Sequence, residues 1–336
     1  MIEGILLAIG AGLMLGLYAL PKKFTKDFTF ENTWALFFML TMFLVPVTAS
    51  VMLIRDFSNV FAAIPGDILF QMAVASFLWG IGVMMWGKAI DHIGLSLGFS
   101  LFIGTVILIG SLLPFLVDGL PDPHTFLIIL GGIALVLIGV IFNGKAGLTR
   151  EKDEAATEKP SKKGTMTTGI LIAISGGLLA TGFSYANAVG RPAIHEACQN
   201  AGNPEWVTAV AVMFPIFLSG GVVMAAYFTW QLSAKKAWSA FKTRSFGRNL
   251  LLILIMAVFH YAASALFAFA AFTLGEVGNT VGYAIFNTAC VITAIISGII
   301  TGEWINASTK AKNFLYGSLA CMVLGIIITA IGNGLS

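Results

Sequence analysis

Charge is scarce in this chain. Asp, Glu, Lys and Arg make up only 10% of its 336 residues, where soluble domains carry roughly a quarter. Apolar residues account for 58% and the mean hydropathy is +0.91, more apolar surface than a soluble fold of this size can hide. The net charge of +3 is too small to argue for nucleic acid. Cysteine is rare too: Cys198, Cys290 and Cys321 show no metal-type spacing and read as small apolar fillers. There is no G-x-x-x-x-G-K-[ST] phosphate loop, no pair of metal ligands and no nucleophile elbow. An ATP-driven pump, a metalloenzyme and a hydrolase therefore fall away. No cofactor and no metal is expected, and the chain does not read as an enzyme.

Long apolar runs are what the sequence has instead. They fall at Ile2–Leu20, Thr33–Ile54, Ile68–Ile90, Ile93–Val117 and Thr125–Phe142, and again at Met166–Val189, Trp206–Trp230, Leu250–Leu274, Val277–Ile300 and Phe314–Ile331. Runs of about 20 residues cross a hydrocarbon core some 30 Å thick. Each must be helical, because lipid offers no partner to a backbone amide. The first run starts at Ile2 without a basic leader and reads as a spanning helix, not a cleaved signal. The fold class is an all-α integral membrane protein with ten transmembrane helices.

Between the two sets of five lies Asn143–Thr165, with ten charged residues and no apolar run. The sets begin alike: Gly4–Leu13 and Gly169–Leu178 are identical at seven of ten positions. A second match follows in the same order, Ile93-Gly94-Leu95-Ser96-Leu97-Gly98-Phe99 against Val277-Gly278-Asn279-Thr280-Val281-Gly282-Tyr283. The chain is read as a duplication, with residues 1–143 as the first five-helix repeat, 144–165 as a charged linker and 166–336 as the second repeat. An odd number of spans per repeat inverts the second copy in the membrane, an architecture that places a substrate site near the midplane. Sixteen Lys and Arg fall in the loops after the first, fifth, seventh and ninth spans, against Arg55 and Arg191 opposite. The positive-inside rule then puts the linker in the cytoplasm and both termini in the periplasm.

Polar groups inside such spans are costly and mark candidate sites. Asn187, Arg191 and His195 recur every four residues in the sixth span, where Pro192 is expected to bend or break the helix. Glu196 with His195, tuned by Arg191, has the chemistry of a proton-coupling group, since Glu and His can titrate and Arg can shift them. His260 lies deep in the eighth span, facing either a cavity or a polar partner. Glu276 precedes Asn279, Tyr283 and Asn287; the last two share a helical face suited to a hydroxyl-rich ligand. Trp79 and Trp86, a heptad apart, share a face of the third span. Lys22 and Lys23 read as topology anchors and Trp34 as an interfacial residue. Lys88 and Asp91 are spaced to pair.

Five motifs follow one another along the chain: Leu20-Pro21-Lys22-Lys23 with Glu31-Asn32-Thr33-Trp34, Trp79-Gly80-Ile81-Gly82, Gly94-Leu95-Ser96-Leu97-Gly98, Asn187 with Pro192 and His195-Glu196-Ala197, and Glu303-Trp304. Together they resemble the L-rhamnose–proton symporter family of the drug/metabolite transporter superfamily. The resemblance implies two inverted five-helix repeats in a bacterial inner membrane and proton-driven uptake of a deoxy sugar. It breaks after Trp-Gly-Ile-Gly, where the enterobacterial rhamnose carriers hold asparagines and this chain has Val83 and Met85. The expected activity is symport of a proton with L-rhamnose or a related monosaccharide, the alternative being export or facilitation of another small polar metabolite. Asn187, Trp79, Trp86, His260, Tyr283 and Asn287 are the expected sugar lining. The expected partners are sugar, proton and membrane lipid, with a homodimer left open and nucleic acid excluded.

Overall fold

A computed structural model describes residues 2–93, 95–113, 115, 119–120, 122–155, 166–275, 278–300, 302 and 304–333. Gly94, Glu276, Val277, Glu303 and linker residues 156–165 lie outside the described residues, as do the side chains of Asp91, Leu95, Ser96, Leu97 and Phe99. Among the described residues every regular element is helical. We number them α1 (Ile2–Leu17), α2 (Phe30–Met39), α3 (Val45–Leu53), α4 (Phe57–Ala62), α5 (Gly66–Ile93), α6 (Leu95–Leu112), α7 (Pro123–Ala155), α8 (Met166–Ala180), α9 (Gly182–Asn200), α10 (Glu205–Ala234), α11 (Phe246–Thr273), α12 (Tyr283–Ile300) and α13 (Thr309–Asn333). Nine stretches among the described residues are long and apolar enough to cross a membrane, and α6 contains a shorter apolar helix, Ser100–Leu112.

Local chemistry sets the irregularities. Pro46, in the first turn of α3, has no N–H for the Met42 carbonyl, so the helix widens into a π-turn at Leu40–Leu44 between α2 and α3. Pro192 does not break its helix: α9 runs unbroken to Asn200, and the interruption falls about three turns earlier in the span, at Thr181. Arg191 and His195 therefore do share a face with Asn187. The charged residues after Phe142 prolong α7 as helix as far as Ala155, because Lys, Arg and Glu are good helix formers and no proline intervenes before Pro160.

Helices meet through glycine, as expected where lipid supplies no hydrophobic drive between them. α1 lies along α11 and α12, while α8 lies along α5 and α6. A Cβ on Gly12 would come 2.6 Å from the Phe286 carbonyl oxygen, and one on Gly177 would come 2.7 Å from that of Phe102. α7 pairs with α13, and the α2–α3 segment packs on α10.

Two asparagines tie the ends of the α2–α3 segment to the second half of the chain. Before α2, Asn249 accepts from the Lys26 amide at 3.1 Å and donates to the Lys26 carbonyl at 2.7 Å. After α3, Asn203 does the same for Arg55, at 2.7 and 3.1 Å. The Lys26 end is reinforced by the Lys235–Glu31 ion pair at 2.5 Å and by Asn32 donating to the Ala237 carbonyl at 2.9 Å. Asp27 accepts from Ser245 and Thr243 at 2.8 and 2.9 Å, and those hydroxyl donors hold its carboxyl below the usual range.

Candidate functional site: a one-ended aromatic cavity

The two halves enclose a cavity of ≈ 580 Å³, within the roughly 300–1,000 Å³ of small-molecule sites. Its walls come from α1, the α2–α3 segment, α5 and α6 on one side and from α8–α9, α10, α11 and α12 on the other. Of the lining residues only Phe30 and Gly87 are exposed, which puts the mouth beside Lys22 on the face that carries Lys235, Lys236, Lys242, Arg244 and Arg248. Lys22 Nζ sits over the rings of Phe30 and Trp34, 5.0 and 5.2 Å from their centroids.

The far end is closed by rings. Phe267 lies 5.5 Å from Tyr283 and 4.8 Å from Phe286, and Phe183 lies 6.0 Å from Phe267. Below this floor Asn187 donates to Asn279 at 2.6 Å. Its own carbonyl oxygen is buried without a partner. Arg191 donates to the Ala271 carbonyl at 3.1 Å, and His195 Nδ1 lies 3.2 Å from the Thr208 hydroxyl, its ring against Phe272.

Trp79, Trp86, His260, Tyr283 and Asn287 all line the cavity. Trp79 is wedged between Phe183 and Phe217, at 5.3 and 5.7 Å, and Trp86 leans on Phe102. Asn287 spends one donor on the Tyr283 carbonyl at 2.9 Å, which leaves its oxygen for a ligand. Asn187 does not reach the cavity. Arg191 and His195 are half-buried on the same side of α9, whereas Glu196 is exposed. Lys22 and Trp34, read as anchor and interface residues, belong to the lining, as do Tyr18, Tyr227 and Ser264. Of the two positions that depart from the asparagine pattern, Val83 faces the cavity; Met85 packs at Gly176 of α8.

A bundle of membrane-length apolar helices around a cavity closed at one end is a polytopic membrane transporter. The family model for the L-rhamnose-proton symport protein matches residues 1–336. The chain belongs to that family. It resembles the L-rhamnose-proton symporter of Citrobacter koseri, at 24% identity over 340 residues covering 98% of this chain and 96% of the relative. The symporters of Escherichia coli O17:K52:H18 (23% over 340 residues) and Yersinia pestis (24% over 338 residues) match with the same coverage of both chains. Such bacterial relatives and the apolar helices support a multi-pass inner-membrane protein.

Proposed function

We propose that this protein takes up L-rhamnose or a related monosaccharide together with a proton, by alternating access. The observation that carries this reading is the cavity itself, in a chain matched end to end by a rhamnose symport family. Trp79, Trp86 and Tyr283 offer flat faces to the apolar side of a sugar ring. His260, Asn287 and Ser264 offer directional hydrogen bonds to its hydroxyls.

The architecture we propose has ten spans, the tenth supplied by α6, in two inverted repeats: residues 1–143 and 166–336 joined by the linker 144–165. Its support is that packing partners exchange. α1 rests on α11 and α12 as α8 rests on α5 and α6. The equivalent glycines of the duplicated segment meet Phe286 and Phe102, which are equivalent residues by the second internal match. The basic face is placed in the cytoplasm, which makes the described shape inward-open. Arg191, His195 and Glu196 then stand on the periplasmic side, and we assign them to the outer end of the proton's route, with exposed Glu196 as the point of entry.

The test is external pH around proteoliposomes holding the purified protein while a panel of sugars is added. Alkalinisation with L-rhamnose supports substrate, coupling and direction together. A response to another sugar alone moves the specificity, and silence across the panel from folded protein overturns the reading.

A further inference from the structure

A proton that travels with the sugar needs a group in the cavity to carry it. The carrier must be reachable from the sugar site, or proton and sugar cannot be linked. Among the described residues, the titratable side chains lining the cavity are Tyr18, Lys22, Tyr227, His260 and Tyr283, with no Asp or Glu. Tyr and Lys ordinarily titrate near pH 10, whereas His does so near neutrality.

The surroundings of His260 decide which of its nitrogens is available. Thr41, in the π-turn that Pro46 imposes, lies 3.2 Å from the Ala257 carbonyl and 3.2 Å from His260 Nδ1. A hydroxyl has one proton and a carbonyl can only accept, so Thr41 donates to Ala257 and accepts from His260 Nδ1–H. The lone pair of the neutral imidazole is then on Nε2, which has no protein partner among the described residues. The ring is held by Tyr18 of α1 at 5.0 Å, Phe37 of α2 at 5.5 Å and Phe217 of α10 at 5.6 Å. Of the groups around it, Tyr18, with Cys290 of α12 behind it, and Tyr261 on its own helix are neutral near pH 7. Lys22 is a turn beyond Tyr18, on Phe30 and Trp34. None of these is a base that competes for a proton at that pH.

We infer that Nε2 of His260 accepts the transported proton and that this protonation is what couples it to the sugar. The inference rests on the proton–sugar symport reading. The proton adds to the Nε2 lone pair in the outward-open form and leaves from the same atom to cytoplasmic water in the inward-open form. No other bond changes. Protonation turns Nε2 from an acceptor into a donor for a sugar oxygen, while Nδ1–H stays on Thr41. Sugar then favours the proton and the proton favours the sugar, by the same factor.

The experiment compares wild type with His260→Gln in proteoliposomes, reading rhamnose-dependent proton movement and counterflow of labelled rhamnose. The expected result is that protons moved per rhamnose fall to zero, while counterflow is weakened but still measurable, because His260 also meets the sugar and the Gln amide keeps a hydrogen-bonding group there. Proton movement at the wild-type ratio in His260→Gln overturns the inference. If wild type itself neither binds nor moves rhamnose, the symport reading has failed, a result separable from the first. Should His260→Gln not fold or not exchange sugar, Thr41→Val decides. Removing the acceptor of Nδ1–H disfavours the imidazolium, so the pH profile of rhamnose affinity must move to lower pH. An unmoved profile overturns the assignment.

Discussion

Asn187 and Asn279 share a 2.6 Å hydrogen bond directly beneath the aromatic floor of the cavity. The contact joins α9 to the turn before α12, and it leaves the Asn187 oxygen buried and unpartnered. Asn187→Ala strips a donor from Asn279, a loss of roughly 1–3 kcal/mol for a buried acceptor. Thermal unfolding in detergent should register that loss, while the KM for sugar stays near wild type because the side chain does not line the cavity. A KM raised tenfold or more without loss of stability would put Asn187 in contact with the ligand instead.

Asn287 should behave the other way round. Its amide is anchored on the Tyr283 carbonyl and its oxygen is left for the ligand. Asn287→Leu removes that acceptor at similar volume, so sugar affinity should fall about tenfold, the worth of one hydrogen bond to a hydroxyl. Isothermal titration against folded protein checks this, and unchanged affinity would remove Asn287 from the site.

How these two asparagines differ was not legible in the sequence. Both sit at helical spacing in apolar spans, and spacing shows which residues share a face without showing what that face meets. The heptad pair Trp79 and Trp86 was legible as one face for the same reason. Tyr18, Lys22 and Trp34 were not, because α1 is apolar all round beyond Glu3 and neither end of a span reveals where a mouth will open. Pro192 promised a break that the helix does not make; a missing backbone hydrogen bond is tolerable where neighbouring helices hold the turn. The glycines at close helix crossings, by contrast, were legible in the two internal matches, since such crossings tolerate little else.

Glu196 is exposed near the C-terminal end of α9, the end proposed above to face the periplasm. As a proton entry point it affects rate and leaves stoichiometry alone. Glu196→Gln should slow proton-coupled uptake several-fold at alkaline external pH, where protons are scarce, with the protons moved per sugar unchanged. Stopped-flow pH recording measures both. If the ratio collapses, Glu196 is itself the coupling group.

Asn249 and Asn203 clasp opposite ends of one helical segment, Asn249 at the Lys26 end and Asn203 at the Arg55 end. Each makes two bonds to the segment's main chain, worth about 1 kcal/mol apiece, and Asn203 donates also to the Cys198 carbonyl at 3.3 Å. Asn203→Ala should ease opening on its side and Asn249→Ala on the other, so thiol labelling of cysteines introduced at the two ends should change in opposite senses. Parallel changes would show that neither clasp bears on the conformational balance.

Asp27 provides a pH test outside the membrane. Its carboxyl is held low by Ser245 and Thr243, so it stabilises the fold above its unfolded value near ~3.9 and loses that effect as pH falls through the lower folded value. Asp27 also has φ +62°, a conformation that asparagine tolerates. Asp27→Asn should therefore lower the melting temperature at neutral pH and match wild type only under strong acid. A constant difference across pH would rule out the carboxylate as its source.

The crossings of Gly12 at Phe286 and Gly177 at Phe102 have one more consequence. Each sets a glycine against a backbone carbonyl, with only the Cβ of Ala289 in one joint and the small side chain of Thr105 in the other. Under the inverted-repeat reading they are two copies of one bearing, facing opposite ways across the membrane. Giving each half the other's present bend generates the outward-facing form from contacts that the chain already makes. On that reading, the duplication supplied the machine's second position along with its second half.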